Sequence, residues 1–181
     1  MLPTIAKWTV QDYQRMVNAG ILDNRHVELI EGDIIEMLPE GAEHAGRSES
    51  LAMLLRRKLD GRAWIREARP ITLAKSEPEP DIAIVDIAHI PYITRHPIAT
   101  EVFLAIEVSN TTLQTDLTRK RNLYAQAEIP EYWVLDLQHR CVIVFRQPDG
   151  TTYRQQQTLE NGTIAPLAFA DCTVRIEDIF R

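Results

Sequence analysis

FLAIEVSNTTLQTDLTRKRNLYAQAEIPEYWVLD, residues 103–136, decides how the rest of the chain reads. Its first part belongs to a run from Val102 to Val108 that is short, apolar and rich in Ile and Val, the pattern of a buried strand. A helix is expected from about Thr115 to Ala127, capped by Thr or Asp and closed by Pro130, which cannot continue it. Glu131 to Leu137 and Cys141 to Arg146 then resume strands. Strand, helix and strand in this order build a sheet with helices packed against it.

Working outward, Pro148-Asp149-Gly150 is a tight-turn composition that joins the last strand to another over Thr151 to Gln157. Upstream lie two further extended candidates, Trp64 to Leu73 and Ile82 to Val85, separated by the proline-containing turn Lys75 to Pro80. Leu51, Leu54, Leu55 and Leu59 recur at three- and four-residue steps, which predicts the longest helix between Glu43 and Asp60 with Gly61 as its stop. HVELIEGDIIEML, residues 26–38, has two β-rich runs around Glu31-Gly32-Asp33 and reads as a hairpin. Thr9 to Ala19 is a short first helix ending at Gly20. The expected fold is α/β, mixed α+β: a central mixed sheet flanked by helices, with additional hairpins. No repeat or linker composition interrupts it, so residues 1–181 are expected to form one domain.

The chain has 181 residues, 45% of them hydrophobic and 25% charged, with a net charge of −6. That is an ordinary globular composition, and it disfavours a surface that holds polyanions by bulk charge. Nucleic-acid binding would have to be local. Arg56, Arg57, Lys58, Arg62, Arg66 and Arg69 form one basic cluster that could supply it, or could equally be a solvated helix face. No apolar run is long enough to span a bilayer and the first residues lack a signal-peptide core, so a cytoplasmic protein with no membrane partner is expected. Cys141 and Cys172 sit in apolar contexts without metal-ligand spacing and read as buried reduced thiols.

No phosphate-binding loop, dinucleotide fingerprint, zincin helix or nucleophile elbow is present. The chemistry that remains is acidic. Asp81 follows Pro80 at the entry of IAIV, and Glu107 lies near the end of VFLAIEV. If these two strands pair antiparallel, the start of one lies beside the end of the other and the carboxylates converge. Two such carboxylates suit Mg²⁺, which takes oxygen ligands and keeps waters for a phosphate substrate. The same residues also fit a turn at a strand start and a carboxylate paired with a surface Arg. Asp116, Lys120 and Tyr124 share one helix face, so Lys120 could stabilise charge developing on a phosphate. It could also form a plain surface pair with Asp116, worth about 0.3 to 0.5 kcal/mol.

The ordered set HVELIEGDIIEMLPEGAEH, EPDIAIVD and residues 103–136 resembles the Uma-two family, restriction-endonuclease-like proteins of the PD-(D/E)xK nuclease superfamily. The likeness extends from about Tyr13 to the terminal IEDIF. It implies a restriction-endonuclease-like fold with the acidic positions at one end of the sheet. By position, Pro80-Asp81 matches the PD element and Glu107 the acidic residue of the second motif, both as divalent-metal ligands, with the Val108 carbonyl as a third. Ser109 stands where the superfamily lysine would, and Lys120 on the following helix matches the family's displaced lysine. Glu28 and His44 also match family positions, Glu28 as a further acidic group and His44 as a contact to phosphate or an orienter of water. Asp116 and Tyr124 match as residues that orient Lys120.

The resemblance implies an endonuclease that uses Mg²⁺ or Mn²⁺ and takes DNA as its substrate. A homodimer would supply the two sites needed to cut both strands of a duplex. Two other functions fit the residues: a catalytically degenerate module that keeps the fold and binds nucleic acid or a protein partner, and a metal enzyme for a small phosphorylated substrate.

Overall fold

The computed structural model describes residues 5–181. Helix α1 (Val10–Asn18) begins at a Thr9 cap whose hydroxyl accepts the Asp12 N–H, and it packs Tyr13 on the hairpin β1 (Val27–Ile30) and β2 (Asp33–Glu36). Glu31 and Gly32 both have positive φ, which lets a two-residue turn close that hairpin. The leucine spacing becomes α2 (Ala42–Lys58), with Leu51, Ala52 and Leu55 buried.

Six strands form the main sheet: β3 (Trp64–Glu67), β4 (Ile82–Val85), β5 (Val102–Ser109), β6 (Glu131–Asp136), β7 (Cys141–Pro148) and β8 (Tyr153–Leu159), paired in that order. Every pairing is antiparallel except β5 with β6. That parallel pair needs a crossover, and the helical segment between the strands supplies it. A small pair, β9 (Thr163–Ile164) and β10 (Val174–Arg175), precedes the terminal α5 (Ile176–Ile179).

β5 and β6 are buried on both faces, which is why their sequences are apolar runs and not alternations. One face of the sheet, with Leu104, Ile106 and Trp133, packs on α2 and α5. The other, with Ala105, Tyr132 and Val134, packs on Leu123 and Tyr124 of the crossover. The fold is therefore a mixed α/β one with a central mixed sheet, flanking helices and extra hairpins, as expected.

Two elements differ from expectation. The strand starting at Trp64 stops at Glu67 and does not reach Leu73, because Ala68 takes a positive φ and its N–H turns to the Asp81 carbonyl, ahead of Pro70. The crossover helix is also not uniform. It runs as α3 (Leu113–Thr115), a π-helical turn over Asp116–Lys120, and α4 (Arg121–Gln126). Both cysteines are buried free thiols.

Candidate active site

Antiparallel pairing of β4 with β5 sets Ile82 opposite Ile106, so Asp81, one residue before β4, lies beside the end of β5. The Val108 N–H donates to Asp81 Oδ2 at 2.6 Å. Within an extended strand the N–H and C=O of one residue point to the same edge, so the Val108 carbonyl faces Asp81 and not β6. His44, in the first turn of α2, places Nε2 3.2 Å from the same Asp81 oxygen, and Glu40 Oε2 lies 3.4 Å from Nδ1. Burial disfavours the imidazolium, but Asp81 and Glu40 together outweigh it and hold the His44 pKa above its ordinary value.

Glu107 carries the other half of the site. Its Oε1 accepts from Lys120 Nζ at 3.0 Å and from the Tyr124 hydroxyl at 2.7 Å. Lys120 Nζ also lies 3.4 Å from Glu28 Oε2, and Glu28 in turn accepts the Glu79 N–H. All of these groups are buried, including Lys120, so an exposed Asp116–Lys120 pair is not what the structure contains. Asp116 instead accepts from the Ser109 and Thr112 hydroxyls, each at 2.7 Å. The π-helical turn lengthens one helical repeat at this point, and both of its ends, Asp116 and Lys120, are buried against the sheet.

The electrostatics are lopsided, with Glu28, Asp81, Glu107 and Asp116 around a single ammonium. Lys120 has its pKa raised: burial opposes the charge, and the carboxylates, Glu107 foremost, more than compensate. Glu107 is pushed well above its usual range by burial, which Lys120 only partly offsets while Asp81, Asp116 and Glu28 add to it. The two shifts pull against each other, since one favours a charged pair and the other a neutral acid. We take Lys120 as charged, because one ammonium among four carboxylates keeps its proton, and the surplus negative charge falls on Glu107.

A bound cation would relieve that surplus. Glu40, His44 and Asp81 each offer a ligand atom, all within 4.8 Å of one another. His44 Nδ1 is moreover buried without a hydrogen-bond partner, since Glu40 is near but misaligned. This oxygen-rich set with one imidazole fits a divalent ion.

The expected residues thus fall into two linked groups. Asp81, His44 and the Val108 backbone meet at the strand end, while Glu107, Lys120, Glu28 and Tyr124 meet behind it, and the chain joins them at Glu107–Val108. Tyr124 orients Glu107 and not Lys120, and Asp116 has its closest bonds to hydroxyls. Glu40 was not singled out from the sequence. Its place four residues before His44 was the available signal, but it precedes the helix, where that spacing guarantees no contact.

A groove of about 390 Å³ opens from Asp81 along α2, lined by Glu40, Glu49, Met53, Arg56 and Glu67 among others. Arg56 is its one cation among the described residues, and it pairs with Glu67. Elsewhere in the basic cluster Arg62 pairs with Asp171, Arg66 bonds the Pro70 carbonyl and Arg69 the Ala68 carbonyl.

The chain is similar over 85% of its length to the crystal structure of "a putative nuclease belonging to DUF820" from Anabaena variabilis, covering 89% of that chain with a TM-score of 0.71 and 20% identity. At that identity the likeness shows the fold. No curated relative matches the chain. Residues 10–177 match the Uma2 family, described as "Putative restriction endonuclease". With only a few residues at either end outside that match, the chain belongs to the Uma2 family of restriction-endonuclease-like proteins.

Proposed function

We propose that the chain is a divalent-metal-dependent endonuclease that hydrolyses phosphodiester bonds in DNA, acting as a single restriction-endonuclease-like domain over residues 1–181 in the cytoplasm. The observation that supports this reading is the register of β4 on β5, which sets Asp81 against the Val108 amide, one residue along the chain from Glu107 and its buried lysine. Asp81, Glu107 and Val108 would hold Mg²⁺ or Mn²⁺, with His44 and Glu40 extending the donor set on the groove side. The imidazole favours Mn²⁺ over Mg²⁺ as the better fit. Bound there, the ion would polarise a phosphoryl oxygen and lower the pKa of a coordinated water.

The chain's own residues do the rest. Tyr124 donates to Glu107 and fixes its carboxylate, and the Val108 N–H fixes Asp81. Lys120, whose proton is retained by its acidic surroundings, supplies a fixed positive charge for the phosphate oxygen that gains charge as the bond breaks. Glu28 holds the ammonium from its other side. His44 contacts phosphate or orients water at the groove mouth. A homodimer supplies the second site needed to cut both strands of a duplex.

A second reading, a degenerate module that binds nucleic acid or a protein partner, is favoured by one observation. The groove at Asp81 is acidic, and its one arginine is neutralised by Glu67, so it repels a polyanion unless cations intervene.

Incubation with supercoiled plasmid and Mg²⁺ or Mn²⁺ separates the two, with Asp81→Ala and EDTA as controls. The nuclease reading expects nicked or linear product that vanishes in both controls, and divalent-ion binding by calorimetry that Asp81→Ala abolishes. Unchanged ion binding in Asp81→Ala and Glu107→Ala removes the metal site. Ion binding without cleavage of plasmid, single-stranded DNA or RNA favours the binding module.

A further inference from the structure

β8, the last strand of the sheet, pairs with β7 along one edge, and among the described residues no strand or loop backbone bonds its other edge. Its seven residues, Tyr153-Arg154-Gln155-Gln156-Gln157-Thr158-Leu159, are anchored at the ends by buried Tyr153 and half-buried Leu159. The five between are exposed whichever face they point to. Only its start at Tyr153 packs on the layer that holds α4, and along the exposed residues that follow, another strand can approach the free edge.

Open edges are normally blunted by lysines, prolines, bulges or extreme shortness. The opposite edge of this sheet follows that rule: β3 has four residues, Arg56 donates to the Ile65 carbonyl on it, and Pro70 follows closely. β8 carries no lysine or proline, and its one charge, Arg154, sits at its beginning.

We propose that β8 is a self-pairing surface, on which a second copy of this chain adds its own β8 antiparallel, so that the two sheets continue into one. Charge fixes the register. With the two-fold axis at Gln157, Arg154 of one copy faces Glu160 of the other, twice over. Gln156 faces Thr158, Gln155 faces Leu159, and Gln157 faces itself. Arg154, second in the strand, and Glu160, just past its end, are both exposed, so each can turn to its opposite number. Within one copy, among the described residues, Arg154 pairs only with the Asp149 carboxylate, 3.6 Å away. Moving the axis to Gln156 sets Arg154 against Thr158 and loses both ion pairs. Uncharged glutamines across the axis add side-chain hydrogen bonds without repulsion.

The geometry has a consequence for the proposed nuclease, though the pairing itself rests on no catalytic property. A two-fold axis between antiparallel edge strands is perpendicular to the sheet and reverses strand direction. The junction of β4 and β5 lies four strand spacings from it, so the two candidate sites stand roughly 40 Å apart, at opposite ends of the strands. Such a dimer cuts the two strands of a duplex in separate events.

Sedimentation equilibrium of the full chain tests the surface. Wild type is expected to dimerise. Arg154→Glu and Glu160→Arg, which place like charges opposite each other, should each weaken association roughly tenfold, and the double swap should restore it. Gln157→Lys sets two ammonium groups face to face on the axis and should also weaken it. All three positions are exposed, and unchanged circular dichroism confirms that folding is not the cause. A monomeric wild type overturns the proposal. So does a dimer indifferent to Gln157→Lys, or one that the double swap fails to restore. Nuclease activity, present or absent, bears on neither result.

Discussion

Replacing Lys120 by Met tests the centre of the site without touching a proposed metal ligand. Methionine keeps the length and apolar stem and removes only the ammonium. The side chain is 11% exposed, and its Nζ lies 3.0 Å from Glu107 and 3.4 Å from Glu28, so the substitution leaves two buried carboxylates without their cation. Breaking a buried pair from one side costs about 3 to 5 kcal/mol. The lower end applies, because burial already pushes the Glu107 pKa up, so that once its ammonium is gone the carboxylate relieves part of the loss by taking up a proton. In a chain of this length about 3 kcal/mol lowers Tm by roughly 6 to 12 °C. Scanning calorimetry of the metal-free protein at neutral pH measures it, and the difference from wild type should narrow as the pH falls and the carboxylates protonate. In a Glu107→Gln background the same substitution should cost distinctly less, since one stranded carboxylate is gone. A loss of less than about 1 kcal/mol, or an equal cost in both backgrounds, refutes the counter-ion role. On the nuclease reading Lys120→Met also slows turnover strongly while ion affinity persists, and wild-type turnover would leave Lys120 a purely structural group.

Tyr124→Phe removes a hydroxyl that donates to Glu107 at 2.7 Å from a fully buried ring, and it should destabilise by about 2 kcal/mol in denaturant titration. An unchanged midpoint would mean that Glu107 does not depend on that bond. Glu101 accepts both guanidinium nitrogens of Arg95 and the Ile98 N–H, and the Arg95 bond above all holds its pKa down to about 2. A depressed carboxylate contributes stability that is present above its unfolded pKa and is lost as the pH falls towards the folded one. Glu101→Gln should therefore lower stability by about 1 kcal/mol at neutral pH, the half-exposed arginine limiting the effect, and the difference should disappear between about pH 4.5 and about pH 2. A pH-independent difference would rule out the ion pair as its cause.

Much of the fold was legible because its signals are local. Val102 to Ser109 and Glu131 to Asp136 read as strands since burial on both faces demands an apolar run, and α2 since its leucines recur at helical steps. Family-matched motifs named Asp81, Glu107, Lys120, Glu28 and His44, and the structure brings each of them into contact with another of the set. Asp81 and His44 meet on the groove side, while Glu107, Lys120 and Glu28 meet beneath the crossover helix.

What the sequence by itself determined, then, was which residue types are present and which segments are extended or helical, because those follow from propensity and periodicity within a few residues. The tertiary structure alone decided three things. The register of β4 on β5 set Asp81 against the Val108 amide, and register depends on the packing of both strands. The π-helical turn buried Asp116 and Lys120 together, which took Lys120 off the surface and placed it between two carboxylates. The packing of Glu40 and His44 against Asp81 brought three candidate ligand atoms together from two distant parts of the chain. In each, the deciding contact spans a long sequence distance, Asp81 to Val108, Lys120 to Glu107 and Glu28, and His44 to Asp81, and is fixed by how the layers pack.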